Sequence, residues 1–373
     1  MDGLTGRLTE RIRREGPLRF DLFQEMALYD ADGGFYERPG RVGRGGDFVT
    51  AATWHPAFAR CLARVARQVR DALGEPIHVV DVGAGEGELL GAIGEALRGG
   101  GGTGDEFHLV GVERSATRRT RAREKAPSAA WLSSLEEIPR FSGLLVAYEL
   151  FDALPVRALL FAGEELVERA VGLSADGGFR WVELRCADSA DLLERLRARG
   201  VVLRPGQLLE IRPAARSLAR SLSEKISRGL LLVFDYGASA RSLYGPARSF
   251  GTLEAFQAHR VTRDVLTDPG SRDITAWVDF TEIGAAFREA GLAVPDLVSQ
   301  SRFLSAAGIA EEIAAAEELP SESDRLVERH ALGGLVAPGG MGESIRVLVA
   351  SRDPELAGRW VHWPERGIVP SNH

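Results

Sequence analysis

The sequence predicts an α/β fold: a doubly wound, parallel sheet with an N-terminal helical cap and inserted antiparallel strands. Three observations predict it. The short apolar runs IHVVDV (77–82), FHLVGVE (107–113) and GLLVAYE (143–149) have the length and composition of buried strands. The first two are followed by helical stretches, ELLGAIGEALR (88–98) and SATRRTRAREK (115–125), and strands alternating with helices at this spacing form parallel sheets. Residues 155–186 break that rhythm: VRALLF, LVERAVGL and FRWVELRC follow one another with turns at GEE and SADGG, the pattern of an antiparallel insertion.

Taken in order, residues 1–75 read as the cap. LTGRLTERIRRE (4–15) is a polar helix, FDLFQEMAL (20–28) has apolar residues at helical spacing, and a glycine-rich turn segment (30–48) follows. HPAFARCLARVARQVRDAL (55–73) is amphipathic and stops at Gly74. The character changes at Pro76, where the first part of the core begins (76–154); it is interrupted by the flexible loop GGGGTG (99–104). The β-rich insertion is placed at 155–204, closing with helix DLLERLRARG, and the core resumes over 205–237 with a helix across 212–229 and the strand LLLVFDYG (230–237). Residues 238–280 contain Gly245, Pro246, Gly251, Pro269 and Gly270 and read as a long substrate-side loop, since loops of that length are usually functional or disordered. Helix FTEIGAAFREAG and a short strand near VPDLVS return to the core (281–300). A helical insertion (301–342), a last core strand (343–352) and a tail (353–373) complete the chain, and no internal repeat is present.

Composition excludes several function classes. The 373 residues suggest two to three units at about 150 residues each. Lys+Arg 46 against Asp+Glu 53 leaves 46 − 53 = −7, so no global basic field is available to grip nucleic acid. Cys61 and Cys186 are too far apart for a metal knuckle and too few for a disulfide scaffold, and the seven histidines show no ligand spacing. No G-x-x-x-x-G-K-[ST] occurs, and GASAR (237–241) lacks the closing glycine of a nucleophile elbow. No apolar run approaches the roughly 18 residues of a membrane span. The start, MDGLTGRLTERIRREG, has no apolar core, so a cytoplasmic protein is expected.

The sharpest local signal is VVDVGAGEGELL (79–90). Small residues after a buried strand let the backbone turn tightly and approach a ligand at the amide end of the next helix. A nicotinamide fingerprint needs G-x-G-x-x-G, but the glycines fall at Gly83, Gly85 and Gly87, and Glu88 would set negative charge beside a pyrophosphate. Asp81 argues the same way. The pattern D-x-G-x-G-x-G, with Ala84 inside it, is similar to that of class I S-adenosylmethionine (SAM) methyltransferases, whose ligand is cationic; the bland alternative is a tight β–α turn without a ligand. Glu113 ends the second strand, where an acidic side chain can accept both ribose hydroxyls, or simply be a solvated charge at a helix start. Ser133, Ser134 and Leu135 would then face the adenine. Glu149 and Asp152 close the third clear strand, where a transferred methyl would be exposed. Paired carboxylates suit a guanidinium, which stays cationic, because they can hold its fork bidentately; Asp152 reads almost equally well as a helix N-cap.

Along nearly its whole length the chain resembles the MidA-type methyltransferase family of bacteria and mitochondria. The matching stretches are GPLRFDLFQEMALYDADGGFY (16–36), GDFVT (46–50), VDVGAGEGELL (80–90), VERS (112–115), ELFDALPV (149–156), LLLVFDYG (230–237), GTLEAFQAH (251–259), PGSRDITAWVDF (269–280), SQSRFLSAAGI (299–309) and MGESIRVL (341–348). The resemblance implies a class I SAM-methyltransferase (Rossmann-like) core, SAM as cofactor, and methyl transfer to a protein acceptor, an arginine guanidinium of a respiratory complex I subunit in the animal member. It implies Asp81, Gly83, Gly85 and Glu113, with Arg114 in the same block, as the SAM-binding set, and Phe48 and Thr50 of GDFVT as the part of the cap that closes on the cofactor. Glu149, Asp152, Asp235 and Tyr236 would line the acceptor side, with His259 joining from the long loop. Three positions depart from the family pattern: Ala51, Ala52 and Thr53 stand for Ser-Pro-Glu, Tyr148 for Asn, and Trp277 for His. Other readings are a non-catalytic assembly factor on the same fold, a small-molecule methyltransferase and, remotely, a nicotinamide oxidoreductase. The oligomeric state stays open, a homodimer included.

Overall fold

A computed structural model describes residues 3–38, 51–99, 106–257, 260–337 and 339–361. Its central sheet runs in the order Val298–Ser299, Ile345–Ala350, Ile226–Ala238, Phe141–Tyr148, Ile77–Val82, Phe107–Val112, Ala130–Leu132, with Val278–Asp279 pairing beside Ile226–Ala238. From Ala130–Leu132 across to Ile226–Ala238 the pairings are parallel; Ile345–Ala350 returns antiparallel. The apolar runs are continuous because both faces are covered. Val79, Leu144, Val146, Leu230 and Leu232 enter one core with Phe58, Leu62 and Ile93, and Val80, Leu145, Leu231 and Val233 enter another with Leu222, Ile283 and Phe287. The chain order reverses between Ile77–Val82 and Phe141–Tyr148, which opens a crevice at their carboxyl ends.

The insertion is an antiparallel sheet of Arg157–Phe161, Leu166–Leu173 and Phe179–Arg185, joined by Leu18–Arg19. Helices Leu4–Glu15 and Phe20–Tyr29 pack against this sheet rather than the central one: Leu8, Ile12, Phe20 and Phe23 share a core with Val171, Ala255 and Ile274.

Several boundaries differ from the sequence reading. Pro56–Leu73, assigned above to the cap, is a covering layer of the central sheet, where its apolar stripe places Phe58 and Leu62. Gln207–Ile211, assigned to the core, is a strand of the insertion sheet paired with Arg157–Phe161. The helix read across 212–229 ends at Lys225, and Ile226–Ala238 is one long strand. The cause is long-range: an added Cβ at Gly229 would lie 1.9 Å from the Gly143 carbonyl, so two backbones meet there as only glycines allow. The long loop 238–280 contains a three-stranded sheet of Glu254–Gln257, Arg260–Thr262 and Asp273–Thr275. Residues 353–361 are no tail: helix Pro354–Gly358 leads Trp360 into the core beside Phe303. No helix among the described residues is long and apolar enough to cross a membrane.

Candidate active site

The crevice is a cavity of about 360 Å³, in the range of small-ligand sites. Its floor is the carboxyl ends of Ile77–Val82, Phe107–Val112 and Phe141–Tyr148; Tyr29, Tyr36 and Glu37 from the N-terminal region and Asp273 from the small sheet also line it.

One half is built by the glycine loop. The amides of Gly83 and Ala84 donate to the Val112 carbonyl at 2.9 and 3.0 Å, pinning the loop across the neighbouring strand. Gly83, Gly85 and Gly87 all have positive φ (78°, 58° and 84°), yet only one opens into free space. A Cβ at Gly85 would meet nothing within 4 Å, one at Gly83 would strike Leu150 Cδ1 at 2.8 Å, and one at Gly87 would meet Trp131 at 3.0 Å and Ala122 Cα at 3.1 Å. Gly87 therefore serves helix packing; it does not line the cavity, contrary to its assignment from sequence.

Glu113 anchors this half. Its Oε2 accepts from the Gly85 amide at 3.0 Å and its Oε1 from the Ser115 amide at 2.8 Å, and carboxylate lone pairs remain for further donors. Burial pushes its carboxyl up, while the Ser115 amide and Arg118 pull it back. Asp81 is pushed up to about 7, by burial first and by Glu113 and Glu88 after it. Glu86 is tied to Arg121 (2.9 Å) and Lys125 (3.0 Å), and Lys125 also pairs with Glu88. Ser133, Ser134 and Leu135 line the cavity, the two serine amides being held by Glu137 at 3.0 Å. The covering residues join here: Ser115 Oγ donates to Glu37 at 2.9 Å, Arg114 lies over the Tyr29 ring at 4.0 Å and Arg118 over Tyr36 at 4.7 Å.

The other half is acidic. Glu149 holds a left-handed φ of 47°, a costly backbone for a side-chain-bearing residue, fixed by its amide donating to the Phe234 carbonyl at 2.8 Å. Its Oε1 is buried without a hydrogen-bond partner. Burial and the neighbouring Asp152 drive its carboxyl well above the usual range, against the pull of the Tyr148 hydroxyl. Asp152 is also raised by burial, with Arg212 opposing. Tyr36 Oη donates to Asp273 at 2.8 Å and Tyr29 Oη to the Ala153 carbonyl at 2.8 Å, so the covering tyrosines hold this wall as well.

The structure thus brings Asp81, Gly83, Ala84, Gly85, Glu113, Arg114, Ser133, Ser134, Leu135, Glu149 and Asp152 to one cavity. Asp235 is not on its wall. It is fully buried and accepts the Phe151 and Asp152 amides at 2.9 and 3.2 Å, capping the turn that carries Asp152. Tyr236 also stands off the lining, and Trp277 turns its ring to Arg248 at 4.2 Å. Phe48, Thr50 and His259 lie outside the described residues. Sequence reasoning missed Tyr29, Tyr36, Glu37, Ser115, Arg118 and Asp273. Tyr29 and Tyr36 sit in GPLRFDLFQEMALYDADGGFY and Asp273 in PGSRDITAWVDF, two of the stretches quoted for the family resemblance, and that was the available signal.

Comparison with known proteins agrees with this geometry. Residues 58–298 match the model of a family described as "Putative S-adenosyl-L-methionine-dependent methyltransferase". The mitochondrial protein arginine methyltransferase NDUFAF7 of mouse is 26% identical over 94% of this chain and 85% of its own, and the human protein of that name 24% over 94% and 84%. A Burkholderia thailandensis protein crystallised with S-adenosyl-homocysteine superposes with a TM-score of 0.85 at 32% identity, covering 94% of this chain and 92% of that one.

Proposed function

We infer the reaction from one premise: the chain belongs to the S-adenosyl-L-methionine-dependent methyltransferase family whose model it matches. The fold is that of the class I enzymes, and S-adenosyl-L-methionine is the cofactor, supplying when bound an electrophilic methyl group on a sulfonium. The residues present fit it. The space beside Gly85 is open, Glu113 has lone pairs left for ribose hydroxyls, and Asp81 is a buried acid that a cationic ligand would favour in its charged form.

We propose a protein arginine as the acceptor. The observation that carries this reading is the buried, unpartnered Oε1 of Glu149 beside Asp152, in a cavity that Asp273 also lines. A neutral acceptor would leave those acids protonated; a guanidinium, which stays cationic throughout the physiological range, would restore both as carboxylates and be gripped by them. The names carried by the curated relatives support the same acceptor. Glu149 and Asp152 would hold the fork so that one nitrogen faces the methyl group, with its charge drawn toward the other. Glu149 would accept the proton that this nitrogen gives up on taking the methyl group. Alignment of this kind accounts for most of the acceleration in a displacement.

The test compares protein arginine methylation by mass spectrometry in a strain lacking the gene, in wild type, and in the deletion strain carrying Glu149→Gln. At least one methylarginine should be lost on deletion and remain lost with the glutamine variant. Identical arginine methylation in all three strains would defeat the proposal.

A further inference from the structure

One buried cation on the acceptor side has no role in the account above. Arg212 follows strand Gln207–Ile211 and is only 9% exposed. Its Nη1 donates to the Trp277 carbonyl at 2.6 Å, and its Nη2 to the Asp152 carbonyl at 3.2 Å and to the Ala276 carbonyl. Its Nε is buried and unpartnered. None of these bonds goes to a carboxylate, although Asp235, Asp152 and Glu210 all face it, as does Tyr244.

A buried guanidinium that spends its donors on carbonyls is an unusual use of a charge, because a neutral donor could make the same bonds without the desolvation cost. What Arg212 adds is position and field together. Its bonds join two segments distant in sequence: the turn after Glu149, which presents Asp152, and the segment following Asp273–Thr275, whose Asp273 lines the same cavity. Thr275 Oγ1 adds a direct link between them, 3.3 Å from the Asp152 carbonyl and 3.4 Å from its carboxylate. The charge lies among acids that repel one another, Asp235 with Asp152 and Glu149.

Resting on the methyltransferase reading of this cavity, we propose that Arg212 is a positioning residue for methyl transfer: it clamps the Asp152 turn to the Asp273 segment and sets a fixed positive charge beside that turn. It touches neither substrate nor cofactor.

The test uses the purified full chain with Arg212→Met and Arg212→Lys. Tritiated S-adenosylmethionine is supplied with protein extract from a strain lacking the gene, and total label, label in arginine, S-adenosyl-homocysteine affinity and amide hydrogen exchange are read. In Arg212→Met, exchange should quicken over 150–154 and 276–278 but not over 79–90, affinity for S-adenosyl-homocysteine should hold, and transfer should fall about a hundredfold, as for a misplaced reacting group. The acidic limb of its pH–rate profile should move to higher pH, because Asp152 and Asp235 lose the cation that opposes their burial. Arg212→Lys should keep that limb while losing rate. Unchanged exchange over 150–154, unchanged transfer, or loss of S-adenosyl-homocysteine affinity in step with transfer would each overturn the proposal. If the methionine variant does not fold, the lysine variant decides alone: a slower enzyme with the wild-type limb supports it, and wild-type rate overturns it. Wild-type label on a residue other than arginine would sink the acceptor assignment instead, while the exchange data still judge Arg212.

Discussion

The two halves of the cavity are made in different ways. The donor half comes from three consecutive strand ends, 81–85, 113–115 and 133–135, each following a parallel strand, so the sheet delivers them side by side. Two of its acids have partners from the same run of strands and helices, Glu113 in two backbone amides and Glu86 in Arg121 and Lys125, while Asp81 is left raised to about 7. The acceptor half gathers Tyr36, Glu149, Asp152 and Asp273 from distant parts of the chain, supported by Asp235 and Arg212 from two more. Its acids are buried, close together and incompletely paired, and Glu149 sits on strained backbone. Binding a cofactor can thus be left to a β–α turn, whereas a cluster of buried acids must be held together against its own repulsion by the rest of the fold.

The largest expected effect attacks the local half. Gly83→Val places a branched side chain at φ 78° and into Leu150, and calorimetry should find no heat with millimolar S-adenosyl-homocysteine. Wild-type affinity in that variant would break the account of the loop.

Next comes the long-range half. Glu149→Gln keeps shape but removes the charge, and transfer to protein arginine should drop about a thousandfold, the scale of a lost transition-state electrostatic contact. The affinity for S-adenosyl-homocysteine should hardly change; a parallel loss of both would erase the division between the halves.

Asp81→Asn sharpens the comparison through stability. Raised from 3.8 to about 7 by folding, Asp81 binds its proton more tightly in the folded chain, so its favourable contribution is complete below pH 4 and disappears as pH climbs through 7. Each unit of that shift is worth about 1.4 kcal/mol. Relative to wild type, the cofactor-free asparagine variant should therefore melt higher at pH 8 than at pH 5, while binding S-adenosyl-homocysteine more weakly. An equal difference in melting temperature at both pH values would contradict the burial argument.

The smallest effect belongs to Tyr148→Asn. The Tyr148 hydroxyl accepts the Ala51 amide at 3.0 Å, and its ring packs against Phe58. Losing one hydrogen bond costs about 1 kcal/mol, so the acceptor KM should shift severalfold with little change in cofactor affinity. A change beyond a hundredfold would mean that Tyr148 takes part in the chemistry itself.

The parallel sheet and the Asp81, Gly85 and Glu113 part of the donor half were legible in the sequence alone. Apolar runs buried on both faces announce their own strands, and Asp81, Gly85 and Glu113 are near enough in sequence for local turn geometry to bring them together. The place of Glu149 and Asp152 at a strand end, and then the resemblance to a family, pointed to both but could not say what each would touch. Only the tertiary structure decided that Gly87 packs against Trp131, that Asp235 caps a turn, that Gln207–Ile211 joins the insertion sheet and that Trp360 is core. The physical reason is the range of the interactions. A glycine's φ and a strand's burial are written within a few residues, whereas the covering by Tyr29 and Tyr36, the clamp of Arg212 and the unpartnered oxygen of Glu149 exist only once segments 60 to 237 residues apart have been pressed together.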